Sequence, residues 1–322
     1  MKILVTGGAG FIGSVTTKKL LDKGHTVVVY DSLIKGHQDA VDARAEFVQG
    51  CLSDKKLLDE TFKKFQIDAV IHFAGFAEAG ESMKEPSKFF HNNIICGINL
   101  LDAIVNNNVK KIIFSSSAGI YSSKDSPILE EDPKEPIHFY GETKLMFERL
   151  LKWYDALYGI KFIALRYFNA AGACGNLGER HDIETHLIPL VIFAALGKRE
   201  NIKIFGTDYD TPDRTCIRDY VDVKDLAEVH LLALDNLSDS SKIYNVGTGE
   251  GKSVREVIDA VKEISGKDFE VIETGRREGD PAMLVANSEK IQRELGWKPK
   301  ISFEEGLKET WEWFEKNQNK LV

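Results

Sequence analysis

The feature that most restricts the fold of this 322-residue chain is a glycine-rich loop near its N-terminus. Residues 2–6 form an apolar run, glycines follow at positions 7, 8, 10 and 13, and a helical pattern occupies residues 12–23 before Gly24. Glycines at this spacing permit a tight turn and close approach of the backbone to a pyrophosphate, and the helix N-terminus then offers free N–H groups. The sequence therefore predicts the first unit of a dinucleotide-binding fold.

Further apolar, β-branched runs continue this pattern along the N-terminal half, at residues 26–30, 68–74, 111–115 and 161–166. Strands of this kind, separated by helical stretches, predict a parallel sheet covered by helices on both faces. The alternation fades beyond residue 168. We therefore expect an α/β protein with a Rossmann-type doubly wound parallel sheet in residues 1–168. A smaller mixed α/β domain in residues 169–322 would bind the substrate, in a cleft between the two domains.

Composition excludes several classes of function. The net charge of −8 argues against nucleic-acid binding through a broad basic surface, and no apolar stretch is long enough to span a membrane. The four cysteines form no C-x-x-C pair, so we expect neither a disulfide framework nor a zinc site. We expect the protein to lie in a reducing cytoplasm. His181 and His186 are five residues apart, the wrong spacing for two ligands on one helix face, so no metal site is expected.

An acidic residue stands where a dinucleotide ribose needs a hydrogen-bond acceptor. Asp31 ends the second predicted strand, 18 residues after Gly13. A carboxylate at this place favours NAD over NADP, because it would repel a 2′-phosphate. Lys35 and Arg44 lie nearby in the sequence, and their positive charges keep NADP open as the alternative cofactor.

Tyr140 and Lys144 are four residues apart at the start of a predicted helix, which places both on one face. A phenol has a pKa of about 10, and a nearby cation can lower it toward the working range of a base. Ser117 follows the strand predicted from residue 111, and ligands of doubly wound sheets lie beyond the carboxyl ends of the strands. These three residues predict a proton-transfer site: Ser117 to bond a substrate hydroxyl, Tyr140 to take its proton and Lys144 to hold Tyr140 ionised.

These motifs identify a resemblance to the extended short-chain dehydrogenase/reductase family, most closely to its UDP-glucose 4-epimerase branch, over nearly the whole chain. The segment Thr6 to Gly13 and the Tyr140–Lys144 pair are common to the superfamily. The triple serine 115–117, the Arg-Asp-Tyr sequence 218–220 and the Asp-Tyr pair 208–209 are similar to the epimerase branch in particular.

The resemblance implies a bound NAD that is not consumed and UDP-glucose and UDP-galactose as substrates. Tyr140, with Ser117, would remove the proton from the sugar 4-hydroxyl while the C4 hydride passes to NAD⁺ and later returns to the other face of the 4-keto sugar. It also implies a homodimer through the helical stretches 88–107 and 142–158. The implied cofactor contacts are Gly7, Gly10, Phe11, Ile12, Gly13, Asp31, Ser32, Leu52, Phe73, Ala74, Gly75, Asn92, Ser115, Tyr140, Lys144, Tyr167 and Phe168. The implied substrate contacts are Ser117, Tyr140, Asn169, His186, Leu187, Lys203, Phe205, Arg218, Tyr220, Arg277 and Asp280.

The chain departs from the pattern of that family at a few positions. Cys51 replaces a usual Asp near the adenine, Ala77 replaces a frequent Lys, and Arg214 replaces a common Gly. Ala118 and Gly119 stand where a 4,6-dehydratase needs an added Asp-Glu pair, which disfavours that activity.

Two other interpretations stay open. One is a UDP-glucuronate decarboxylase or a related nucleotide-sugar enzyme, which also begins with oxidation at C4. The other is a non-catalytic NAD-sensing protein, which predicts the loss of Tyr140 or Lys144, although both are present.

Overall fold

The computed structural model describes residues 1–181, 183–277 and 279–320. Its strands are β1 Lys2–Thr6, β2 Thr26–Asp31, β3 Glu46–Gln49, β4 Ala69–His72, β5 Lys111–Ser117, β6 Lys161–Tyr167, β7 Asn169–Ala171, β8 Ala173–Cys174, β9 Leu177–Gly178, β10 Asn201–Phe205, β11 Ile217–Asp222, β12 Lys242–Val246, β13 Gly251–Ser253, β14 Glu270–Thr274 and β15 Met283–Leu284. Its α-helices are α1 Phe11–Asp22, α2 Lys55–Phe65, α3 Ala79–Ser82, α4 Pro86–Phe89, α5 Cys96–Asn106, α6 Phe139–Tyr158, α7 Leu187–Ala195, α8 Val223–Asn236, α9 Val254–Ser265, α10 Glu289–Leu295 and α11 Phe303–Lys316.

A seven-stranded parallel sheet, in the order β12-β6-β5-β4-β1-β2-β3, forms the centre of the molecule. Its strands are apolar because both faces are covered. Ile3 and Val5 of β1 enter the core on one face, and Leu4 enters the core on the other. The predicted Rossmann-type doubly wound sheet is confirmed, and all the strands that the apolar runs predicted in the N-terminal half occur.

The sheet takes its seventh strand from beyond residue 168. Strand β12 pairs with β6, and α8, which precedes it, packs against α1 through a buried cluster of Val15, Val223 and Ala227. Residues 223–246 thus belong to the layers of the central sheet. The division of the chain into two domains at residue 168 stays a prediction. Residues 223–246 lie after that boundary in the sequence but pack with the layers that come before it.

The remaining C-terminal elements form a smaller mixed α/β unit, as expected from the sequence. Strand β11 pairs with β7, β13 and β15, while β10 pairs with β14. Helices α7, α9 and α11 share a separate apolar core. Ser253 begins α9 with a complete capping box to Glu256, which fixes the start of that helix.

The predicted helical stretch 88–107 is divided into three parts. Helix α4 leads into a π-helical turn, Phe90–Ile95, which continues as α5. Wide turns of this type are frequent at functional sites, and Asn92 and Asn93 lie in it. Within the described residues, every helix is too short or too polar to cross a membrane.

Candidate active site

The glycine loop between β1 and α1 presents backbone atoms rather than side chains to the cleft. Gly7 has a φ of +75°, in the left-handed region that favours glycine. A Cβ on Gly13 would lie 2.2 Å from the carbonyl oxygen of Gly7, so no larger residue fits there. Helix α1 begins at Phe11 after an N-cap glycine, Gly10, whose lack of a side chain leaves the first N–H groups free. The loop therefore fits a pyrophosphate at the helix N-terminus.

Asp31 lies at the carboxyl end of β2, only 8% exposed, on the wall of the same cleft. Its carboxylate accepts the N–H of Ala9 at 3.0 Å and that of Leu33 at 2.9 Å. Each carboxylate oxygen keeps a lone pair, so the group stays able to accept a ribose hydroxyl.

Lys35 and Arg44, the two basic residues that kept NADP open as the cofactor, form ion pairs with carboxylates of the protein. The Lys35 ammonium lies 2.7 Å from the carboxylate of Glu78, and the Arg44 guanidinium bonds Asp42 and Asp22. Their charges are offset by these carboxylates, which agrees with the preference of Asp31 for NAD.

A single cavity of about 1740 Å³ adjoins the glycine loop and runs to the C-terminal elements. Pockets for one drug-sized ligand are about 300–1,000 Å³, so this cavity has room for a dinucleotide and a second nucleotide. Its walls include all the residues that the sequence proposed for cofactor and substrate.

The start of α6 is fixed so that Tyr140 faces this cavity. The ring nitrogen of His138 caps the helix by accepting the N–H of Gly141 at 2.9 Å, and the Tyr140 N–H donates to the Ser82 hydroxyl at 3.0 Å. A Cβ on Gly141 would lie 2.0 Å from the carbonyl oxygen of Gly119. Glycine at 141 thus lets α6 approach the loop that follows Ser117.

Electrostatics at the predicted proton-transfer residues are set by burial. Burial raises the pKa of the Tyr140 phenol to about 12, while the Ser117 hydroxyl acts in the opposite direction. Burial lowers the pKa of Lys144 to about 8, so its ammonium is still largely charged at neutral pH. The ammonium nitrogen lies 5.7 Å from the centroid of the Tyr140 ring and donates to the carbonyl of Ser115 at 2.8 Å. That carbonyl is a partner of Lys144 that the spacing did not predict.

Two buried polar residues that the sequence did not select hold the catalytic helix in place. Ser82 accepts from Tyr140, as described above. The Asn93 side chain bonds both the N–H and the carbonyl of Phe76 and donates to the Thr143 hydroxyl at 3.0 Å. It thereby ties the loop after β4 to α6. Ser82 lies in a Gly-Glu-Ser sequence at residues 80–82 that could have singled it out, whereas no pattern distinguishes Asn93 from Asn92.

A buried ion pair supports the strand end that carries Ser117. The Arg166 guanidinium donates to both carboxylate oxygens of Glu148, at 2.9 and 2.7 Å, and also bonds the Tyr121 hydroxyl. Ser116 donates to the same carboxylate at 2.6 Å. Both charged side chains are almost fully buried, at 3% and 2% exposure, so the orientation of residues 115–121 depends on this pair.

The far end of the cavity carries two arginines from the set of implied substrate contacts. Arg218 on β11 pairs with Asp280, and the Arg277 guanidinium carbon lies 3.8 Å from the centroid of the Phe205 ring. Asn169 donates to the carbonyl of Asp219 at 3.0 Å, which positions it beside β11. Tyr220, Lys203 and Leu187 contribute to the same wall.

The departures from the family pattern fall into two kinds. Cys51 and Ala77 line the cavity, and the Tyr30 hydroxyl donates to the Cys51 carbonyl at 3.0 Å. Arg214 has a φ of +66°, in the left-handed region that favours glycine.

The two histidines at 181 and 186 lie together, 5.1 Å between ring centroids, beside Glu179 and Glu184. Burial alone would lower the pKa of His186, but the two carboxylates raise it well above its usual value. The sequence excluded a metal here because the spacing does not suit a helix face. Helix α7 begins only at Leu187, so that premise does not apply to this segment.

Comparisons with known proteins agree with this geometry. Residues 3–247 match the model of the NAD-dependent epimerase/dehydratase family. A UDP-glucose 4-epimerase of Lacticaseibacillus casei is 46% identical over 321 residues, covering 98% of this chain and 97% of the relative. The structure of UDP-glucose 4-epimerase from Brucella ovis in complex with NAD matches with a TM-score of 0.93 and 43% identity over 96% of both chains. That from Bifidobacterium longum in complex with NAD⁺ and UDP matches with a TM-score of 0.94 and 37% identity over 99% of both chains.

Proposed function

The chain belongs to the NAD-dependent epimerase/dehydratase family, and from that premise we propose that it inverts C4 of a UDP-hexose, interconverting UDP-galactose and UDP-glucose through a 4-keto sugar. One observation carries the proposal. A single cavity joins the glycine loop, the Ser117–Tyr140–Lys144 set and the arginines at 218 and 277. A dinucleotide, a reacting hydroxyl and a nucleoside diphosphate thus each have matching groups in one space.

The proton of the 4-hydroxyl is the part of the reaction that the chain itself handles. Tyr140 takes this proton as C4 is oxidised and returns it when the carbonyl is reduced, with Ser117 bonding the same oxygen. Because the phenol pKa is about 12 in the protein alone, positive charge near the phenol has to lower it. Lys144, 5.7 Å from the ring centroid, is already part of the environment in which this pKa is about 12, so further positive charge would have to come with the bound cofactor. Bound NAD supplies the reversible oxidation and is regenerated in each cycle.

The diphosphate is bound at the other end of the cavity. Guanidinium groups match phosphate geometry in a bidentate manner, and Arg218 and Arg277 are both held in place before a ligand arrives. Asp280 orients Arg218, and the Phe205 ring supports Arg277. Binding at this end lets the sugar present either face of C4 while the nucleotide stays attached.

The test is a panel of UDP-sugars, with the products identified by NMR. The protein should convert UDP-galactose to UDP-glucose without net formation of NADH. The same protein preparation should release nicotinamide when it is denatured. Decarboxylated products from UDP-glucuronate, with no epimerised hexose, would favour the alternative decarboxylase. Bound nicotinamide without turnover of any sugar would favour the NAD-sensing protein.

We further infer a homodimer that uses the surface of α6. Trp153 and Leu157 are each 65% exposed on this helix, and Phe90 and Ile95 are exposed on the adjoining π-helical turn. A group of large apolar side chains at the surface marks an interaction site. Sedimentation should give a dimer, and Trp153→Glu with Leu157→Glu should give a monomer, while Lys152→Glu on the same helix should not. A monomeric wild-type protein would refute the inference.

A reducing cytoplasm is the compartment that we propose for this chain. Its four cysteines are all free thiols, and Cys51 lies in the cofactor cavity. Fractionation of cells that express it should find the protein in the cytoplasmic fraction with all four thiols titratable after denaturation. A disulfide-bonded form in those cells would contradict this placement.

A further inference from the structure

Four side chains with metal-binding atoms meet where the segment after β9 approaches α7. They are Glu179, His181, Glu184 and His186, and one ligand atom from each lies within 4.8 Å of all the others. We propose that this cluster is a binding site for a divalent transition cation of the zinc class. The site stands on its own residues and does not depend on the proposed epimerase activity.

The distances in the cluster suit a common central ion. The His186 Nδ1 atom lies 2.9 Å from Oε1 of Glu179 and 2.9 Å from Oε1 of Glu184. The His181 Nδ1 atom lies 3.1 Å from Glu184 and 3.4 Å from Glu179. Ligands about 2.0–2.1 Å from a tetrahedral zinc ion lie roughly 3.3 Å from one another. The four nitrogen–oxygen separations bracket that value, and the other ligand atoms lie within 4.8 Å of one another, so the ligands would have to move closer together around the ion.

Hydrogen bonding alone leaves this arrangement incompletely satisfied. Each histidine Nδ1 carries at most one hydrogen, yet each faces oxygens of two carboxylates at similar distances. One hydrogen cannot point well at both. A cation between the four groups interacts with all of them at once.

The charges of the cluster also match a dication. Glu179 and Glu184 are 6% and 4% exposed at the side chain, and isolated carboxylates are costly to bury. Metal ligation requires both imidazoles to be neutral, and in that state the four groups carry a charge of −2, which one divalent ion balances. Mixed imidazole and carboxylate donors are a set that zinc and its neighbours accept.

The surroundings hold one of these ligands in position. Oε1 of Glu184 accepts the N–H groups of Thr185 and His186, both at 2.8 Å. Such outer contacts orient a ligating carboxylate. The guanidinium of the neighbouring Arg180 is paired with Asp39, which offsets its positive charge near the cluster.

A bound ion would link the four side chains to one another within the wall of the cavity. Residues 179, 181, 184 and 186 all line that cavity. His186 is 46% exposed on its side chain, so the site is open toward the cavity. The role that follows is to fix the wall on which Leu187 begins α7.

The test measures metal content directly. Protein with its bound nicotinamide is dialysed against a chelator, then equilibrated with Zn²⁺ or Co²⁺, and the metal per chain is measured by mass spectrometry and by the visible spectrum of Co²⁺. One ion per chain is expected. Glu179→Gln and His181→Gln should each weaken binding by at least the 10–100-fold that loss of an outer partner causes. Matched changes at exposed residues outside the cluster, Glu270→Gln and His91→Gln, should leave binding unchanged.

Three results would overturn the proposal. The first is no retained ion and no visible Co²⁺ spectrum in the wild-type protein. The second is binding that both cluster variants keep. The third is a thiolate-to-metal band, which would place the ion on cysteine. Nicotinamide content and circular dichroism report the folding of each variant. If the buried Glu179→Gln variant does not fold, His181→Gln, at a side chain 24% exposed, gives the same comparison.

Discussion

Lys144 provides a quantitative link between the buried site and the stability of the protein. Burial lowers its pKa from 10.5 to about 8, which means that the folded state binds the Lys144 proton more weakly than the unfolded state does. The resulting penalty is complete below about pH 8 and is removed as the pH rises from there to 10.5. Each pH unit of displacement corresponds to about 1.4 kcal/mol, so the full penalty is roughly 3 kcal/mol.

Lys144→Met removes this titration and leaves the rest of the chain unchanged. The free energy of unfolding of the wild type, measured relative to the variant, should therefore increase by about 2–3 kcal/mol between pH 7 and pH 10. The loss of the bond to the Ser115 carbonyl adds an offset that does not change with pH. Urea denaturation of the cofactor-free proteins, followed by circular dichroism in steps of pH, measures the difference.

The same measurement on Lys152→Met is the matched control, because Lys152 is exposed on the same helix. Its difference from the wild type should vary by less than about 1 kcal/mol over this range. A difference for Lys144→Met that is constant with pH, or that changes in the opposite direction, would refute the assignment of Lys144 as a buried amine with a lowered pKa.

Three further changes address the base, its support and the cofactor loop. Tyr140→Phe should reduce turnover by about 10²–10⁴-fold with bound nicotinamide retained, and near-normal turnover would remove Tyr140 from its role. Glu148→Gln should lower the free energy of unfolding by about 3–5 kcal/mol because it leaves the buried Arg166 guanidinium without its charge partner. Asp59→Asn, which breaks the more exposed ion pair between Asp59 and Lys63 on α2, should cost less than about 1 kcal/mol in the same denaturation. Gly13→Ala should abolish nicotinamide binding, since its Cβ would lie 2.2 Å from a carbonyl oxygen, while Gly275→Ala, with open space around the Cβ and no left-handed φ, should keep it; equal nicotinamide contents would contradict this prediction.

The central sheet was largely predictable because buried parallel strands leave a simple trace in the sequence. The apolar runs predicted β1, β2, β4, β5 and β6. Strand β12 has the mixed sequence Lys-Ile-Tyr-Asn-Val and leaves no such trace. Its place in the sheet is decided by the packing of α8 on α1, which no local pattern contains.

The site was predictable as a set of residues and less so as a set of contacts. The four-residue spacing placed Tyr140 and Lys144 on one helix, but it could not show that the ammonium bonds the Ser115 carbonyl. Likewise, a rule based on helix faces excluded His181 and His186 as partners. They lie together before α7 begins, and Glu179 and Glu184 each contact both of them.

The late position of β12 in the chain has a consequence for how the protein is made. On the ribosome, the glycine loop and six strands of the sheet are synthesised before residue 168, and β11 with Arg218 follows before β12 appears. Until residue 246 has emerged, β6 is an unpaired edge with apolar side chains on both faces. Such an edge pairs readily with other chains. The order of synthesis therefore sets an interval during which the nascent sheet needs protection, and that interval ends only after β11 has been synthesised.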